Sequence, residues 1–210
     1  MEVPADISFR TIKGSWTMDN VSDDMDPIMK LQGVGWLTRK GIGAATLTLH
    51  ASTAETTSSS GSPALNFILR QTLTGGIPGA TEERIMDWTE RERINHIYGN
   101  TLSRSQLVSG IKDADGAVRP ELTLQSKPKS PEVEAELKEF LVGGTPYLAG
   151  DDVKELYVHD FGRNEASGWT AEQIWAFELI DSKPYLTRRV VVVKGDEHAK
   201  ARLVFKLTGQ

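Results

Sequence analysis

The sequence predicts an all-β fold, a closed antiparallel up-and-down β-barrel of about nine or ten strands with a short helix-turn-helix lid. Three observations carry that expectation. Short runs of alternating apolar and polar residues recur along the chain, bounded by Gly, Pro, Asn and Asp. Lid-like helical spacing occupies one stretch near the start, about residues 22–45. The 210 residues can bury one substantial core without dividing, so a single domain over 1–210 is expected.

Each element follows from local chemistry. Gly14 lets the backbone approach a neighbour closely at the start of the first strand, and Trp16 is large enough to plug the end of a small barrel. Ser22 and Asp23 read as helix N-caps, with Asp24 and Asp26 in the first turn and Pro27 where a missing N–H is harmless. Met25, Ile28, Met29 and Gln32 follow helical spacing, Gly33 and Gly35 break it, and Trp36, Leu37, Lys40 and Ile42 restart it. Thr46 to His50 then alternates as a strand. Residues 51–64 are small and polar and read as a flexible hairpin tip. Leu65 to Thr74 is a strand closed off by Gly75-Gly76 and Pro78-Gly79, and residues 81–91 and 96–108 are the arms of the next hairpin. Residues 109–131, with Gly116, Pro120, Pro128 and Pro131, read mostly as a second flexible loop. Residues 132–141 fit either a short helix or an acidic-faced strand. Runs at 154–161, 172–180, 185–194 and 200–207 complete the strands.

Composition removes several function classes. A net charge of −5 with 25% charged residues offers no basic field for a polyphosphate, so nucleic acid is not an expected partner. Cysteine is absent, which excludes disulfides and thiolate chemistry and favours a cytoplasmic location. The first residues lack the basic and apolar regions of an export signal, and no apolar run approaches the roughly eighteen residues of a membrane helix. Membrane insertion is not expected. His50, His96, His159 and His198 lack ligand spacing, so neither a metal nor a cofactor is expected. Gly41-Ile-Gly43 follows a helix and precedes a strand, the reverse of a phosphate cradle, and no Gly-x-Ser-x-Gly elbow is present.

Gly14, Trp16, Met29-Lys30, Gly33-Val34-Gly35 and Thr38-Arg39-Lys40 occur in the order and near-spacing that open the intracellular fatty-acid-binding proteins, a branch of the calycin (lipocalin-like) superfamily. Over residues 12–50, and more weakly over the last twenty, the chain resembles that family, as an enlarged fungal-type member. The resemblance implies a barrel that holds a small hydrophobic molecule. It also places Arg202 where the family's final strand grips a carboxylate, although Val204 stands in place of the partnering tyrosine. By the same alignment Arg189 faces the cavity from the neighbouring strand. Arg202 reads equally as a stack on Trp16 that closes the barrel base.

The expected ligand-binding set is Arg202, Arg189, Trp16, Met29, Trp36 and Trp88, with the lid methionines and Trp36 serving as a portal or as a homodimer face; monomer and homodimer both remain open. His96 and Tyr98, and separately His159, are the candidate proton-transfer groups, because a barrel interior moves pKa values toward neutrality. Two functions from different classes follow. One is intracellular carriage of a fatty acid or similar lipid- or polyketide-like molecule. The other is a cofactor-independent isomerase, cyclase or dehydratase working in the same cavity.

Overall fold

A computed structural model describes residues 1–114, 116–147 and 153–209. One ten-stranded antiparallel sheet dominates it. Strand β1 (Gly14–Met18) leads into helices α1 (Asp26–Leu31) and α2 (Trp36–Gly43). Strands β2 (Thr48–Thr57), β3 (Pro63–Leu73), β4 (Ile77–Ile85), β5 (Arg91–Asn95) and β6 (Gly99–Val108) follow, then the small hairpin β7 (Gly110–Lys112) and β8 (Val118–Pro120). Helix α3 (Pro131–Val142) precedes β9 (Tyr157–Asn164), β10 (Trp169–Ile180), β11 (Lys183–Lys194) and β12 (Glu197–Gly209). The spatial order is β4-β3-β2-β1-β12-β11-β10-β9-β6-β5, an up-and-down path with β12 beside β1.

The sheet curls but does not close into the expected barrel. β4 and β5 are its two edges, and no ladder joins them. The seam is spanned by an isolated bridge between Met86 and Ser105, by Trp88 N–H donating to the Ser105 carbonyl at 2.9 Å, and by the Arg93 guanidinium donating to the Glu83 carbonyl. The local sequence explains the gap. β5 has only five residues, Pro78 lacks a donor, and the turn at Asp87 to Glu90 carries Trp88 at φ 56.

Two layers of core flank the sheet. Inside the curl, the N-terminal residues Val3, Ile7, Phe9 and Ile12 pack with Trp16, Phe67, Trp175, Phe177 and Phe205 to seal one end. Phe9 lies 4.9 Å from the Phe177 ring and 5.7 Å from the Phe67 ring. Outside, α3 and the strap at residues 121–126 cover β9, β10 and β11 with Leu122, Leu124, Leu137 and Leu141. These strands are therefore apolar on both faces, as in Val190 to Val193.

Several local expectations change. Of residues 51–64, expected as a flexible tip, most are strand, because β2 and β3 extend as a long hairpin around a turn at 58–62. Residues 132–141 take the helical alternative, with Ser130 as N-cap accepting from the Val133 N–H. Ser22 and Asp23 do not cap α1. They tie the lid to β12 instead: Ser22 exchanges hydrogen bonds with the Val204 backbone, and Asp23 accepts from the Arg202 N–H at 2.7 Å.

Candidate functional site

Asp181 and Ser182, at φ 50 and 63, make the two-residue turn that joins β10 to β11. That turn sets Trp175 opposite Arg188 and Ile174 opposite Arg189. Side chains alternate along a strand, so this register turns Arg188, Gln173 and Trp175 into the curl and Arg189 out of it. On β9, Asp160 pairs with Gln173 and faces inward, while its neighbour His159 faces outward. On β4, Glu82 and Arg84 point inward by the same alternation.

Arg188, Gln173, Asp160, Glu82 and Arg84 line a cavity of about 710 Å³, with the fully buried Trp175 ring packed against the two guanidinium groups. Its walls come from β4, the β5–β6 hairpin, β9, β10 and β11, and Met25, Ile28 and Gln32 of the lid border it. Arg84 donates through Nε to Asp160 at 2.6 Å and also bonds Glu82. The Trp175 indole N–H donates to the same Asp160 oxygen at 3.1 Å. The Arg188 Nε donates to Gln173 at 2.7 Å. The guanidinium carbons of Arg84 and Arg188 stand 5.4 and 5.1 Å from the Trp175 ring centroid. Tyr98 enters beside them, edge-on to Trp169 at 6.3 Å.

Charge states follow from these contacts. Burial works to raise Glu82, but the neighbouring guanidinium groups, Arg84 first, hold it at about 2. Asp160 is held below its ordinary range in the same way, against the effect of burial, chiefly by Arg84. Burial would lower Arg84, yet Asp160 and Glu82 keep it above its usual value. Burial lowers Arg188 and raises the Tyr98 phenol.

The expected site residues are not brought together. Arg189 lies on the outer face, paired with Glu178 at 3.0 Å beneath Phe140 of α3. Arg202, directly opposite Arg189 in the ladder, shares that outer face, so the final strand contributes no guanidinium to the cavity. Both arginines thus have outward parity where inward parity is expected, and doubly covered strands carry no polar-apolar alternation to reveal it. Trp16 is fully buried in the sealed end, and Met29 is a buried residue of lid helix α1 that does not reach the cavity. Trp36 is 64% exposed on α2. Trp88 stacks on His159 at 4.7 Å and under Arg104 at 4.5 Å, outside the sheet. His96 and Tyr98 share the β5–β6 hairpin at the cavity mouth. His159 is buried on the opposite side of the sheet, where its Nε2 lies 2.8 Å from Glu172. Among the described residues no group of three or more potential ligands could hold a metal, and no helix is long and apolar enough to cross a membrane.

Arg84, Asp160, Glu82, Arg188 and Gln173 were not singled out from the sequence as the site. The available signal was the alternation Glu82-x-Arg84 and the parity of Arg188 with Trp175 across a two-residue turn.

A curled antiparallel sheet with an N-terminal helix pair and an interior cavity is the calycin fold of the fatty-acid-binding proteins. Fatty-acid-binding protein 1 of Echinococcus granulosus superposes with a TM-score of 0.51 at 12% identity, over 94% of this chain and 97% of that one. No protein-family model matches. Two fungal proteins align end to end. A probable pericyclase of Mollisia scopiformis is 27% identical over 98% of this chain and 94% of its own length. A pericyclase of an Acremonium species is 24% identical over 100% and 98%.

Proposed function

We propose that the chain is a cofactor-independent enzyme that binds a polyene bearing a conjugated carbonyl and promotes its pericyclic cyclisation. The observation that carries this reading is Arg188: at the cavity wall its Nε is fixed by Gln173, its guanidinium packs on the buried Trp175 ring, and among the described residues its terminal nitrogens have no acceptor. The end-to-end likeness to two pericyclases supports the same class. A pericyclic step needs no proton acceptor and no cofactor, because bonds reorganise within one cyclic transition state. An intramolecular cycloaddition, for example, makes two C–C σ bonds from two π bonds and yields an isomer of unchanged mass. What a protein supplies is a folded reactant and a donor to the carbonyl that activates the alkene. The cavity volume lies within the range of small-molecule sites. Trp169, Ile28 and Val190 supply the apolar surface that folds the chain. Simple carriage is favoured by the fold alone, and Arg202, at the family's carboxylate-gripping position, faces outward here.

The test uses 2,8,10-undecatrienoic acid and its methyl ester, which cyclise to a bicyclic isomer. Stoichiometric protein is expected to give that isomer faster than buffer and with one enantiomer in excess. Arg188→Gln is expected to slow turnover about a hundredfold, the cost of removing one preorganised donor. A racemic product at the buffer rate, with tight binding of the saturated acid, would assign the chain to carriage.

A further inference from the structure

We propose that the cavity takes its ligand as a monoanion, a carboxylate or an ionised enol, seated on Arg188. The inference deepens the reading above and rests on this cavity being the working site. It comes from a charge count of the wall. Arg84, Arg93 and Arg188 present three guanidinium groups to the interior, and only Glu82 and Asp160 oppose them. Arg84 consumes both carboxylates directly, bonding Asp160 and Glu82. The other charged groups at the lining do not change the balance. Glu83 points outward and accepts from Asn66 at 2.9 Å, and His96 is exposed at the mouth. Beside the cavity, Arg91 and Asp87 neutralise each other at 2.6 Å.

One positive charge in the wall is therefore left without a counter-ion, and Arg188 is where it is most available. Its one hydrogen bond goes to a neutral amide, at 2.7 Å. Arg93 spends a terminal nitrogen on the Glu83 carbonyl at the seam. A partly buried cation with no counter-ion is costly, and a ligand oxygen bearing one negative charge removes that cost while gaining charge-assisted bonds from the planar fork. Tyr98, at the same wall, adds a neutral donor to the seat. The resulting specificity is for an acidic head on an otherwise apolar body. Esters and cations of the same shape are disfavoured.

The test measures binding only, so its outcome is independent of turnover. Nile red, a neutral dye, is bound in the cavity and displaced by undecanoate, by methyl undecanoate and by undecyltrimethylammonium. Undecanoate is expected to displace the dye at a concentration about tenfold below the ester, with the cation weakest, and added salt is expected to narrow the gap. Arg188→Gln is expected to bring acid and ester to within about twofold, whereas Arg188→Lys, which keeps the charge, retains most of the preference. Circular dichroism checks that both variants fold. Equal displacement by acid and ester in the unaltered protein, displacement by neither, or an unchanged preference in Arg188→Gln would overturn the proposal. If the cyclisation assay succeeds while the acid preference is absent, the charge inference alone falls.

Discussion

At the residue scale the cavity wall carries an ion network, and its pH response is determined by the carboxylates. Glu82 is depressed to about 2 from an ordinary 4.5, and Asp160 is shifted in the same direction. A carboxylate whose folded pKa lies below its unfolded one adds stability that is complete above the unfolded value. That contribution is lost as pH falls toward the folded value. The melting temperature is therefore expected to hold from neutrality to about pH 5 and to fall between about pH 4.5 and 2. Asp160→Asn isolates the effect. It keeps the side-chain shape but leaves Arg84, 7% exposed at its side chain, short of its buried partner. The variant is expected to lose about 3 kcal/mol at pH 7, as when one member of a buried pair is removed, and to show a shallower acid slope. Thermal unfolding across pH measures both; a variant as stable as the parent would show that the Arg84–Asp160 pair contributes nothing net.

At the element scale, the outer layer determines what could be read from the sequence. The lid was legible because Met25, Ile28 and Met29 repeat at helical spacing between glycines, and most strands were legible from their alternation. The inward face of β11 was not, because α3 and the strap bury its outer face and erase the pattern in Val190 to Val193. Glu172 is the anchor of that layer. Fully buried, it accepts from the Gln125 N–H at 2.9 Å and the Ser126 N–H at 2.8 Å, and it faces His159. No sequence motif marks such a contact, since the partners lie 46 and 47 residues apart. Gly144 completes the docking of α3. It sits at φ +114, and a Cβ there would lie 2.5 Å from the Glu178 carboxyl carbon. Gly144→Ala is expected to displace Glu178 from Arg189 and to destabilise the protein by about 2 kcal/mol or more, combining backbone strain with a broken ion pair. Denaturant unfolding reads the loss. A companion Gly116→Ala, also at positive φ but with open space around it, is expected to cost less, because only the strain applies.

At the scale of the whole molecule, the unclosed seam between β4 and β5 is both the weakest part of the sheet and one wall of the cavity. β10 and β11 are laddered on both sides over most of their length and are buried between two apolar layers. β4 and β5 each have one laddered neighbour, and the bonds across the gap include one isolated bridge, the Trp88–Ser105 bond, the Arg93–Glu83 bond and the Arg84–Asp160 ion pair. Local opening should therefore start there, since stability follows buried apolar contact and shielded backbone bonds. Amide hydrogen exchange is expected to be fastest, among the sheet strands, in Ile77–Ile85 and Arg91–Asn95 and slowest in Trp169–Ile180 and Lys183–Lys194. The same edges supply Pro78 to Arg84 and Arg93 to Asn95 to the cavity lining, so a bound ligand touches both sides of the seam. Saturating undecanoate is accordingly expected to slow exchange in β4 and β5 and to leave β10 and β11 unchanged, because the latter already exchange only through global unfolding. Protection confined instead to α1 and α2 would mean that the ligand sits under the lid and that the seam is only an edge.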